Sequence, residues 1–74
     1  MSEKHAVILF HTSSHAIRAE KVLQKQGMPC KLIPVPRHLS SDCGVCARIL
    51  RSDQKNAQEV LEKSRVEIVG VHDI

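Results

Sequence analysis

Apolar residues come in short bursts separated by polar segments, and each burst has the length of one secondary-structure element. Ala6-Val7-Ile8-Leu9-Phe10 is continuous and rich in strand formers, which predicts a central strand. The polar His11-Thr12-Ser13-Ser14 follows, and its hydroxyls suit a helix N-cap. From there to Gln26 the spacing is helical. Ala16, Ala19, Val22 and Leu23 share one face, and Arg18, Lys21 and Lys25 share the other. Gly27 stands where a C-terminal cap is wanted, and Met28-Pro29 prevents continuation. Cys30 to Val35 reads as a second strand and Val45 to Leu50 as a third, although the third carries Arg48. Ser52 or Asp53 caps a second helix with Ala57, Val60 and Leu61 as its apolar stripe, and Val66 to Val71 forms a fourth strand.

The order β-α-β-β-α-β predicts an α+β, ferredoxin-like two-layer sandwich: an antiparallel four-stranded sheet with two helices on one face, a single domain over residues 1–74. Right-handed crossovers give the strand order 4-1-3-2. The turns after the first and second strands then emerge at one end of the sheet, placing Thr12 to Ser14 near the loop from Arg37 to Cys46. Lys63 and Arg65 end the second helix at the same pole, while His5, Cys30 and His72 fall toward the other. The first and last strands are apolar at both parities, with Val7, Leu9, Val69 and Val71 among the extra positions. Two helices cover one sheet face, so a homodimer through the open face, or a partner protein, is expected to bury the rest.

Composition narrows the class. The chain has 74 residues, 42% hydrophobic and 26% charged, which suits a small globular fold near the lower size limit. The net charge of +3 is spread among interleaved acids and bases, as on a solvated surface. Phe10 is the sole aromatic ring apart from the histidines, so there is no stacking platform and nucleic acid is not an expected partner. The N-terminal residues lack a signal-like apolar run, and no apolar segment reaches membrane-spanning length, so a cytoplasmic protein without membrane contact is expected. Three cysteines, an odd number, argue against a structural disulfide framework.

The chemistry concentrates in Ile33-Pro34-Val35-Pro36-Arg37-His38-Leu39-Ser40-Ser41-Asp42-Cys43-Gly44-Val45-Cys46. Two prolines stiffen the arm into the loop, and Gly44 allows a sharp turn directly after Cys43. A thiol held this way suits a nucleophile, a sulfur or selenium carrier, a redox partner or a metal ligand. A helix N-terminus with Arg37 or Arg65 nearby would favour the Cys43 thiolate, and Asp42 would oppose it. Cys46, three residues on, could resolve an oxidised sulfur as a disulfide. It shares strand parity with Arg48, so an exposed or half-exposed thiol is expected. The pair is also a metal motif. Cys43, Cys46 and His38, with His11 or His15 as a fourth ligand, could hold Cu(I) or zinc, but no second ligand pair completes the pattern. The thioredoxin form of C-x-x-C opens a helix, whereas this one precedes a strand. Cys30 reads as core filling, His5 and His72 as strand-end surface residues, and Ser13 and Ser14 as caps rather than nucleophiles.

The chain also resembles a family of small bacterial selenium/sulfur carrier-like proteins. The residues that carry the resemblance are Phe10, Ser13-Ser14-His15-Ala16-Ile17-Arg18-Ala19-Glu20, Gly27, Leu32-Ile33-Pro34-Val35-Pro36-Arg37 and Ser40-Ser41-Asp42-Cys43-Gly44. The similarity implies a carrier rather than a catalyst, with a persulfide or selenosulfide on Cys43. Cys46 lies just past the recurring Cys-Gly element, so its role as a possible resolving thiol comes from its spacing and not from the resemblance. Ser13, Ser14, Arg37, Ser41 and Gly44 would surround the bound group, with no cofactor. Its partners would be a donor such as a cysteine desulfurase and an acceptor protein. The alternatives are a thiolate metal module, a dithiol redox protein, or an interaction module whose thiols are incidental.

Overall fold

The computed structural model describes residues 4–37, 39 and 44–74. The elements run β1 (His5–Leu9), α1 (Ser13–Lys25), β2 (Cys30–Pro34), β3 (Val45–Leu50), a 3-10 turn (Arg51–Asp53), α2 (Gln54–Lys63) and β4 (Gly70–Asp73). The fold is α+β. The strands form a sheet in the order β2-β3-β1-β4, and every neighbouring pair is antiparallel. Leu9 of β1 and Ile33 of β2 both stand opposite Cys46 of β3. The two strands therefore run the same way and release their turns at one end of the sheet.

The main core lies between the sheet and the helices. Ala6, Ile8, Phe10, Ala47 and Ile49 meet Ala16, Ala19 and Leu23 of α1 and Ala57 and Leu61 of α2. Alanines at the contact positions let the helices approach closely, and Phe10 is the largest fully buried side chain. Helix α1 starts because the Thr12 hydroxyl accepts the His15 N–H at 3.2 Å. It stops in a Schellman turn with Gly27 at φ +79°, the Met28 N–H bonding the Leu23 carbonyl at 3.0 Å. Two α1 side chains also occupy the free edge of β2. The Glu20 carboxylate accepts the Leu32 N–H at 3.2 Å, and the Gln24 amide donates to the Cys30 carbonyl at 3.1 Å. That edge is less open to strand addition as a result.

Helix α2 departs from expectation at both ends. Asp53 occupies the N-cap position, but its side chain makes no cap hydrogen bond, because the 3-10 turn leads the chain into the helix. At the other end, Arg65 adopts φ +58°, a conformation costing about 1 kcal/mol for a residue with a Cβ. It closes a second Schellman turn, with the Val66 N–H on the Leu61 carbonyl at 2.9 Å. The turn engages the Val66 N–H and its side chain enters the core, so Val66 cannot begin a strand. The expected fourth strand from Val66 to Val71 is accordingly displaced to Gly70–Asp73, and Val69 is 49% exposed.

The helix-free face is not uniformly open. Val7, Leu9 and Cys46 are buried there, with Ile33, Val35 and Leu39 packed against them. Apolar side chains that suggested a homodimer thus find cover within one chain at this end. Farther along the same face stand Lys31, Arg48, His5 and His72.

Candidate functional site

The pole at which β1 and β2 end gathers three features. The first is the start of α1. Thr12 Oγ1 lies 2.9 Å from His15 Nδ1 as well as accepting the His15 amide, so the histidine ring three residues on pairs with the cap hydroxyl itself. Ser13 and Ser14 follow the cap in the exposed first turn, which contains no acidic residue. Their N–H groups belong to the positive end of the helix dipole and face outward. Thr12, rather than either serine, is the cap.

The second feature is the β2–β3 loop. The Val35 N–H bonds the Gly44 carbonyl at 3.1 Å, one step beyond the Pro34–Val45 pair, and closes the loop at its base. Gly44 has φ +78°, and a Cβ there would meet no atom within 4 Å. Backbone conformation, not space, demands the glycine. On the other arm, the Leu39 N–H bonds the Pro36 carbonyl at 2.9 Å, forming a turn that leaves Arg37 exposed and sends Leu39 onto the helix-free face. The third feature is the end of α2. Arg18 of α1 donates from Nη2 to the Ser64 carbonyl at 3.4 Å, which holds Lys63 and Arg65 at this end of the molecule.

Ser13, Ser14, Arg37 and Gly44 therefore share one pole. Ser41 and Cys43, with Asp42 and His38, lie outside the described residues. Among the described residues no three His, Cys, Asp or Glu side chains are grouped as metal ligands.

Cys46 requires a correction. Its parity with Arg48 is as expected, but the thiol is fully buried rather than exposed or half-exposed. Val35 and Leu39 come from outside the sheet to pack on this face, and strand alternation could not reveal that cover. Its S–H lies 4.0 Å from the Pro34 carbonyl, within the long reach of a weak sulfur donor. Two other features were overlooked at the sequence level. The Thr-x-x-His spacing carried a signal for the cap pair, whereas nothing local marked Arg65 as left-handed.

Cys30 is the core filler it was expected to be, 9% exposed at the start of β2. Burial pushes its thiol up from 9.0 to about 11, and the Glu20 carboxylate adds to the rise. The folded state thus resists forming this thiolate. The associated stability is present below pH 9 and is lost as pH rises toward 11. At pH 8, a disulfide reagent on the native protein is expected to leave Cys30 and Cys46 unmodified until the chain unfolds. Rapid labelling of either in the native state, read by peptide mass, would contradict their burial.

No helix among the described residues is long and apolar enough to cross a membrane. No solved structure matches the chain. The Uncharacterized protein YtiA of Escherichia coli (strain K12) is 37% identical over 43 residues, which cover 58% of this chain and 51% of that protein. The aligned region thus spans about half the length of this curated relative. The profile of the family described as "Putative Se/S carrier protein-like" matches residues 5–73. The chain belongs to that Se/S carrier protein-like family.

Proposed function

We propose that this protein carries a sulfur or selenium atom on Cys43, as a persulfide or selenosulfide, on a ferredoxin-like frame. The observation that carries the reading is the pole itself. An acid-free helix start, the exposed Arg37 and the left-handed Gly44 next to Cys43 in the chain belong to turns leaving one end of the sheet. Such surroundings favour an anion. In the sulfur version, the Cys43 thiolate attacks the outer sulfur of a donor protein's persulfide. A bond forms between Cys43 Sγ and that sulfur, the donor's S–S bond breaks, and the donor leaves as a thiolate. The same exchange in reverse delivers the atom to an acceptor. Ser13 and Ser14 would contribute backbone N–H groups, Arg37 its charge, and Ser41 a hydroxyl. The donor class is a cysteine desulfurase. Reduced buried thiols at Cys30 and Cys46 suit a reducing cytoplasm.

The test is intact-protein mass after incubation with a cysteine desulfurase and free cysteine. The expected result is a gain of about one sulfur mass, removed by dithiothreitol and absent from Cys43→Ser. An unchanged wild-type mass under every sulfur and selenium donor tried would end the carrier reading.

A further inference from the structure

The helix-free sheet face divides into two halves of opposite character. Near the loop it is apolar and covered by Ile33, Val35 and Leu39. At the margin of that cover the register sets Lys31 opposite Arg48, Arg48 opposite Val7, and Val7 opposite His72, one row crossing all four strands in which Val7 is buried and belongs to the covered cluster. His5, diagonal to Arg48 and on the same face, adds a second imidazole. Adjacent strands lie about 4.8 Å apart, so the row spans about 14 Å.

No carboxylate from a described strand residue answers this row. Asp73 is the one acid in those strands. It stands opposite Ala6 on the helix side and pairs with Arg51 at 3.3 Å. Among the described residues, the side chains of Lys31, Arg48, His5 and His72 form no hydrogen bond or ion pair. Two like charges directly across an antiparallel pair destabilise a sheet. Lys31, Arg48 and His5 also line a cleft of about 500 Å³ whose walls include Met28, Ile49 and Leu50. The cleft is both cationic and apolar.

We propose that this half of the sheet is the docking surface for a partner protein that presents a carboxylate-rich segment with an apolar anchor residue. A second copy fits poorly, because a two-fold contact through this patch would set one cationic row against the other. The row lies on the face that Leu39 partly covers, and Arg48 is four residues from Gly44, about 13 Å along β3. A segment bound there sits on the same face as Leu39, along β3 from Gly44. That the partner is a sulfur or selenium donor or acceptor rests on the carrier reading, but the charge pattern does not.

The experiment titrates the full chain, isotope-labelled for amide NMR, with a 12-residue glutamate-rich peptide carrying one central leucine. Shifts are expected at residues 5, 7, 31, 48 and 72, fading as salt is raised. Lys31→Glu with Arg48→Glu should weaken binding by about tenfold or more, whereas Lys21→Glu with Lys55→Glu on the helices should change it by less than about twofold. Arg48→Glu alone provides a second variant, because it creates an opposite-charge pair with Lys31, and it too should weaken binding. Cys43→Ser should bind as the wild type does, so loss of the carrier reading and loss of the surface are separately visible. Shifts confined to the helices, undiminished binding by the sheet variants, or tighter binding of a short DNA duplex to the same residues would each overturn the proposal.

Discussion

Phe10→Ala is expected to lower the unfolding free energy by about 3–4 kcal/mol, the largest effect of any single truncation in this chain. Phe10 is fully exposed to its neighbours and not at all to water, at 0% accessibility. It follows β1 directly and joins the cluster where the sheet, α1 and α2 meet. Five of the twelve residues in that cluster are alanines, which cannot extend to fill a void. Part of the loss is the transfer free energy of the ring, and the remainder is the cavity left behind. A domain of this size holds on the order of 4–11 kcal/mol in total, so the variant stands close to its unfolding transition. Urea denaturation followed by far-ultraviolet circular dichroism measures the difference. Phe10→Leu serves as the control, with an expected cost under about 1.5 kcal/mol because most of the volume remains. A measured loss below about 1 kcal/mol for Phe10→Ala would mean that the ring does not hold the two layers together.

The position of Phe10 also links stability to the candidate site. Two residues later Thr12 caps α1, and the Val69 N–H bonds the Leu9 carbonyl at 2.7 Å on the other side. Weakening the ring's seat loosens the strand end from which the helix start is presented.

Legibility in the sequence followed the range of the interactions. Helix α1 could be read because its stripe, its cap segment and Gly27 all lie within a few residues of one another. The bounds of β3 were readable for the same reason, with Gly44 marking its start. Strand β4 was misplaced because Val66 and Ile68 look like strand residues. Their role is fixed instead by the end of α2, where Arg65 takes a conformation that glycine usually supplies. At the candidate site, the shared pole of Ser13, Ser14, Arg37 and Gly44 followed from chain topology alone. The burial of Cys46 did not, because Leu39 reaches it across seven positions of loop whose path no periodicity encodes. The basic row was hidden for a related reason. Lys31, Arg48 and His72 are far apart in sequence and become neighbours through strand register.

Cys46→Ser is expected to cost about 1–3 kcal/mol, while Cys46→Ala costs less than about 1.5. The two substitutions differ in polarity more than in size, and the site is apolar: Val7, Leu9, Ile33, Val35 and Leu39 form its walls. A hydroxyl placed there gives up its hydration. Alanine loses only a sulfur's worth of packing. The contrast is measured by chemical denaturation, and a serine variant as stable as the alanine one would show that water or a closer acceptor reaches this position. The same pair bears on the chemistry. A resolving thiol must meet Cys43, which lies outside the described residues, and Cys46 is itself buried with Val35 and Leu39 packed on its cluster. A purely structural Cys46 leaves the sulfur adduct on Cys43 unchanged in Cys46→Ala, both in yield and in lifetime. A much longer-lived adduct in that variant would instead reveal that Cys46 attacks the inner sulfur, forming a disulfide with Cys43 and releasing the outer sulfur as hydrosulfide.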